Sequence, residues 1–153
     1  MSEDPSFHGP AVEMVPGTLR GYRAWTPMRD WTLHSVITSY TWTRPNTSAA
    51  ACFRGNETRC HDRSPTLGCG CGFYAYYNAI SGYGYGDLIG SVKAHGKIIL
   101  GTLGFRAEYM EIEALCSVDR GCYADAYGVP RFPTLEELLE NFPPSNVTEL
   151  IGA

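Results

Sequence analysis

The sequence has no run approaching the ~20 apolar residues that a membrane-spanning helix requires, which excludes a conventional span of that kind. Its first residues, from Met1 through Glu3, Asp4, Pro5 and His8 to Pro10, lack a basic stretch followed by an apolar one, so no secretory signal is expected there. Charge is sparse, at 18% Asp, Glu, Lys and Arg, and the net −4 is the wrong sign for a polycation that coats nucleic acid. Cysteine is also scarce: six in 153 residues are too few for a disulfide scaffold. These absences predict a cytoplasmic, reducing location without membrane association, where clustered cysteines hold metal more often than they bridge.

What is present describes a sheet- and turn-rich domain. The length fits a single domain able to bury its own core. The hydrophobic fraction is 44%, with seventeen Gly, ten Pro, ten Tyr, six Phe and three Trp. We read residues 1–16 as a flexible tail, 17–145 as one zinc-stabilised α+β domain and 146–153 as a C-terminal tail. Thr18 to Trp25 reads as a strand and Trp31 to Trp42 as its hairpin partner, with Pro27 to Asp30 supplying the turn. Residues 43–72 show no period at all. Phe73 to Ile80 is compatible with a short helix. Leu88 to Leu100 is the clearest strand, with Leu88, Gly90, Val92, Ala94, Gly96, Ile98 and Leu100 on one face and Lys93, His95 and Lys97 on the other. Phe105 to Leu115 returns as its partner. A helix capped by Ser117 and ended by Gly128 follows, and then a second, announced by the capping box of Thr134 and Glu137 and an apolar stripe of Leu135, Leu138, Leu139 and Phe142. The expected architecture is two antiparallel hairpins forming a small curved sheet, a zinc-organised loop between them, and C-terminal helices packed on the sheet. The sequence also echoes itself: Gly17-Thr-Leu-Arg-Gly-Tyr-Arg-Ala24 against Gly101-Thr-Leu-Gly-Phe-Arg-Ala107. A duplicated strand entry or chance would produce it.

The aperiodic stretch carries the chemistry. Cys52, Cys60, His61, Cys69 and Cys71 follow a Cys-x7-Cys-His-x7-Cys-x-Cys pattern. Thiolate and imidazole are the donors zinc prefers, and four of them close a tetrahedral shell. The donors sit among Arg, Asp, Asn and Gly, with no apolar pattern that would bury them as small hydrophobes. Five donors for four places leave one spare. Cys60 and His61 are adjacent, so their side chains tend to diverge, and the preferred set is Cys52, His61, Cys69 and Cys71, with Cys60 the alternative ligand. Gly68, Gly70 and Gly72 supply the positive-φ freedom that a tight Cys-x-Cys bite calls for. A disulfide pairing is the competing reading. Cys116 and Cys122, remote from this cluster, read as core or helix residues.

Gly21-Tyr-Arg-Ala-Trp25, Ala51-Cys52, His61-x3-Pro65-x3-Cys69-x-Cys71-Gly72-Phe73-Tyr74-Ala75, Gly104-Phe-Arg-Ala107 and Tyr127-Gly-Val-Pro130 occur in that order. In this the chain resembles a family of small uncharacterised proteins of actinobacteria and their phages, particularly mycobacteriophages. The likeness covers roughly residues 17–142. It implies Cys52, His61, Cys69 and Cys71 as the recurrent donors and a bacterial or phage-infected cytoplasm, and it implies no activity.

Other chemistry is weaker. Residues 1–106 carry a net +3 and residues 107–153 a net −7. Arginines 20, 23, 29, 44, 54, 59 and 63 lie near Tyr22, Trp25, Trp31, Tyr40 and Trp42. Arg20, Arg23, Trp25, Arg54 and Arg59 thus form a candidate binding face, which could hold single-stranded nucleic acid by phosphate contact and stacking. The competing reading is a solvated face over an aromatic core, with the acidic tail pairing with the basic front. The glycines of 82–86 lack the Gly-Lys-Ser/Thr of a phosphate loop, and neither a Ser-His-Asp spacing nor the His-x-Glu and Pro-Cys-x2-Cys of a zinc deaminase is present. The leading expectation is a non-enzymatic binding or accessory protein with a structural zinc and a protein partner. A zinc-stabilised nucleic-acid binder comes second and an enzyme of unknown class third.

Overall fold

A computed structural model describes residues 11–35, 42, 48–49, 72–79, 88–116 and 122–145. The chain is an α+β protein whose strands belong to one sheet. Strand β1 spans Ala11–Pro27 and turns into β2, Leu33–Ser35, by an antiparallel hairpin. Residues 11–16, expected in the tail, are therefore strand: Ala11 to Met14 pair with Ile99 to Gly96. The register then slips between Met14 and Leu19, a stretch that holds Pro16, which has no N–H to donate. After β3 (Ser48–Ala49) comes β4, Phe73–Tyr76, where a helix was expected. Its period is two, not 3.6: Phe73 and Ala75 are buried, Tyr74 and Tyr76 half-buried, and all four residues pair with β6.

The long hairpin of β5 (Leu88–Leu100) and β6 (Gly104–Cys116) forms the spine, as the sequence predicts. Its expected inner face holds, with Leu88, Val92, Ala94 and Ile98 all in the core and Leu100 packed against it. Gly96 adopts φ +84° where the register shifts between His95 and Ile98. A side chain there would meet Glu108 and Tyr109, so only glycine fits this bulge.

β1 pairs β5, β5 pairs β6, β6 pairs β4, and β4 returns to β1 through the single register Tyr22↔Tyr76. The sheet thus coils until it meets itself, and Phe105 of β6 fills the interior against Gly21 of β1. The two echoed segments lie on either side of β4, with Gly21–Ala24 in β1 and Gly104–Ala107 in β6.

Helix α1, Cys122–Tyr127, closes one end of this core with Ala124 and Tyr127. Gly128 follows at φ +69°, the left-handed cap expected of it. Ser117 lies outside the described residues. Short β7, Arg131–Phe132, pairs with the end of β6 in parallel. Helix α2, Leu135–Asn141, is capped by Thr134, whose Oγ1 accepts from the Glu137 amide at 3.2 Å. Leu138 is fully buried with Tyr22, Ala79 and Ala114, while Leu135, Leu139 and Phe142 pack around them. The apolar stripe read from the sequence is the face that docks on the outside of the sheet.

Tyr22 ties this helix down: its hydroxyl donates to the Phe142 carbonyl at 2.5 Å. Burial pushes its pKa up to about 12, with Glu113 adding to the rise and Arg20 opposing it. Tyr77, bonded to the Gly101 carbonyl, is also pushed up to about 12 by burial. Because unfolded tyrosines ionise near pH 10, stability is full below pH 10 and falls as pH rises from 10 towards 12. Arg23, lowered to about 10 by burial, works the other way above pH 10 but is one group against two. Tyr22→Phe is expected to cost about 1 kcal/mol at pH 7 and to shrink the alkaline loss, read from urea denaturation at pH 7, 10 and 11.

Candidate metal centre and its frame

The five expected donors, Cys52, Cys60, His61, Cys69 and Cys71, lie outside the described residues, as do Arg54 and Arg59. The described residues nearest to them along the chain are Ala49 of β3 on one side and Gly72 and Phe73 on the other. Ser48 and Ala49 of β3 lie opposite Met110 and Tyr109, and Phe73 of β4 lies opposite Ala107, on the same strand β6. Ala49 and Phe73 thus stand two strand positions apart along β6, about 7 Å. Gly72, immediately after Cys71, has φ +111°, the positive-φ geometry predicted for the glycines beside this bite.

The aromatic residues before and after the segment fix this frame. Trp42 packs on Phe73 with ring centroids 4.9 Å apart and meets Trp25 edge-on at 5.5 Å. Its backbone N–H donates to the Leu33 carbonyl at 2.9 Å. The buried Tyr127 hydroxyl donates to the Trp42 carbonyl at 2.8 Å and accepts from the Leu33 amide at 2.9 Å, so one side chain of α1 joins β2 to the start of the segment. The Tyr127-Gly-Val-Pro130 motif thereby acquires a physical meaning: a clip at Tyr127, a helix cap at Gly128, and a Pro130 carbonyl that accepts from the Leu115 amide at 3.0 Å.

Arg23 and Trp25, candidates either for a binding face or for a charged face over an aromatic core, belong to this frame. Trp25 is 0% exposed in the core. The Arg23 guanidinium lies over Trp42 at 4.7 Å and Trp25 at 5.6 Å, and Nη1 donates to the Tyr74 carbonyl at 3.1 Å. It joins the beginning of the aperiodic stretch to the strand that follows it. Removal from water lowers its pKa to about 10, so it remains a cation at neutral pH, held by aromatic faces.

Arg20 is also committed. Its Nε and Nη2 donate to the Glu113 carboxylate at 2.6 and 3.1 Å, and Nη1 reaches the Pro143 carbonyl at 2.8 Å. The hydrogen bond to Glu113 holds its pKa above the usual arginine value. Lys93, opposite Arg20 on β5, pairs with Glu111 at 2.9 Å. The basic front and acidic tail of the sequence therefore meet across β1, β5 and β6. Glu113→Gln is expected to cost about 1 kcal/mol in urea denaturation, and Arg20→Lys to lose the two-pronged contact without restoring it.

Among the described residues, no group of three His, Cys, Asp or Glu side chains is placed to hold a metal. Cys116 packs against the cluster of Tyr22 and Leu138 beneath α2, and burial pushes its thiol up, away from the thiolate that a metal needs. Cys122 opens α1. Sequence reasoning missed Tyr127 as the clip. Its signal was a tyrosine directly before a capping glycine, where a helix end is anchored. No helix among the described residues is long and apolar enough to cross a membrane. Comparison with models of known families, with curated proteins and with solved structures finds no match to this chain.

Proposed function

We propose that this chain is a non-enzymatic binding or accessory protein in which a structural zinc, held by Cys52, His61, Cys69 and Cys71, orders the segment between β3 and β4. The observation that carries the reading is the pinned base of that segment: Ala49 and Phe73 stand two positions apart on β6, three residues before Cys52 and two after Cys71. Donors at both ends of the cysteine pattern are thus tethered to one short stretch of strand. The positive φ of Gly72 and the Trp42–Phe73 contact support the same reading. A structural zinc supplies about 10–16 kcal/mol of apparent folding energy, comparable with the 5–15 kcal/mol net stability of a domain. That is enough to order a segment with few apolar residues. A closed shell of three thiolates and one imidazole leaves no position for substrate, so the metal serves structure.

The resemblance to phage and actinobacterial proteins is the ground for proposing a bacterial cytoplasm as the site of action and a host protein as partner. Metal analysis of the purified chain tests the site. About one zinc per chain is expected in the wild type and in Cys60→Ser, and loss of zinc from the Cys52, His61, Cys69 and Cys71 variants. Loss from the Cys60 variant with retention in the His61 variant overturns the ligand set, and a folded, zinc-free wild type overturns the site. Capture of one host protein that survives raised salt supports the partner class. Oligonucleotide binding that collapses with salt contradicts it.

A further inference from the structure

We infer that the tip of the β1–β2 hairpin, Met28 to Trp31 with Tyr123 of α1 behind it, anchors a protein partner, and that the partner meets it with an apolar side chain beside a carboxylate. The Met28 amide donates to the Thr32 carbonyl at 2.9 Å and the Trp31 amide to the Met28 carbonyl at 3.1 Å, which makes Met28 to Trp31 a type I turn closed by a bulge. The bulge position takes the left-handed backbone that favours glycine, and here it holds Trp31 at φ +65°. A bulky residue is strained there, and such strain gathers where a side chain is held for use.

The tip is braced, and its apolar side chains face outward. Asp30 Oδ1 accepts from the Thr32 amide at 3.2 Å and from the Thr32 hydroxyl, which fixes the turn. The Tyr123 hydroxyl donates to the Met28 carbonyl at 2.8 Å, and its ring stands 5.1 Å from that of Trp31 between centroids. Trp31 is nevertheless 47% exposed and Met28 37%, while Leu103, the remaining exposed large hydrophobic among the described residues, lies at the other end of β5. Pro27, Met28, Arg29 and Asp30 line an open depression beside them. Trp, Tyr, Met and Arg are the types that protein interfaces enrich, and Trp, Tyr and Arg carry most of their binding energy.

Charge selects the partner's chemistry. Arg29 is exposed and makes no ion pair among the described residues, whereas the Asp30 carboxylate is engaged by its own turn. A carboxylate on the partner complements that cation. Of the three arginines in β1 and its turn, Arg20 is taken up by Glu113 and Arg23 by Trp42 and Tyr74, so Arg29 alone faces a partner. One cation is too few for the phosphate track of a nucleic acid. The inference rests on the protein-partner reading above and is independent of the zinc.

Selection of a displayed library of short random peptides on the full chain tests it. Enrichment is expected of peptides that carry Asp or Glu next to Leu, Ile, Phe or Trp. A synthetic peptide of the enriched sequence is expected to bind Trp31→Gly and Arg29→Ala at least about tenfold more weakly than wild type. Trp31→Gly is expected to keep or raise the wild-type midpoint in urea, since glycine relieves the strained position, so that lost binding is not lost folding. A midpoint clearly lowered by Trp31→Gly gives the ring a packing role and overturns the site. A selection that enriches no such peptide overturns it too. Peptides that bind both variants as tightly as wild type overturn the tip and leave the protein-partner reading standing. Oligo(dT) that binds wild type and is lost with Trp31→Gly overturns both.

Discussion

Phe105→Ala is expected to lower stability by about 3–5 kcal/mol, the range for emptying a buried aromatic site, and so to leave the protein marginal at 25 °C. Phe105 is 0% exposed, and its ring tip occupies the space that the missing side chain of Gly21 leaves open. A methyl at position 21 would come within 2.7 Å of both Phe105 Cζ and the Ala75 Cβ. Gly21→Ala alone is therefore expected to cost about 1–3 kcal/mol by overpacking. Combined with Phe105→Leu, it should cost less than the two separate changes together, because the shorter side chain relieves one of the two clashes. Urea denaturation of the four proteins reads this coupling directly, and strict additivity would show that the two residues do not share the interior.

This contact also shows what the sequence could and could not reveal. The β5–β6 hairpin was legible because Leu88, Val92, Ala94 and Ile98 repeat at period two, and α2 because Thr134, Glu137 and the Leu135–Phe142 stripe announce a cap and a face. β4 was not, since Phe73-Tyr-Ala-Tyr is too short for periodicity to distinguish helix from strand, and what makes it a strand is its pairing with distant Ala107 to Gly104. The paired strand at Ala11 to Met14 was hidden by Pro16 and Gly17, which look like a tail until the slip in the β1–β5 register is seen. Arg20, Arg23 and Trp25 were legible as a cluster, but their direction was not. Residue type does not say that Arg20 will meet Glu113, ninety-three positions away, or that Trp25 faces inward. The proposed zinc donors rest on spacing alone, since they lie outside the described residues, and the structure adds only the strand positions of Ala49 and Phe73 before and after them.

The second large effect is expected at those donors. Cys69→Ser and Cys71→Ser should each abolish stoichiometric zinc binding, because a hydroxyl replaces a thiolate in a shell where every ligand is needed. Acidification should release zinc from the wild type as thiolates and imidazole take up protons, and neutralisation with added zinc should restore it. In the EDTA-treated chain, proteolysis is expected to cut first within residues 50–71, at Arg54, Arg59 or Arg63 with trypsin, while the zinc-bound chain resists there. Equal cutting at these arginines with and without zinc would show that metal does not order the segment.

Zinc-edge X-ray absorption on the purified chain tests the central claim most directly. Four-coordinate zinc with three sulfur neighbours at about 2.3 Å and one nitrogen at about 2.0–2.1 Å is the expected result. A shell of four sulfurs would put Cys60 in place of His61, and a shell containing water or carboxylate oxygen would contradict a closed structural site.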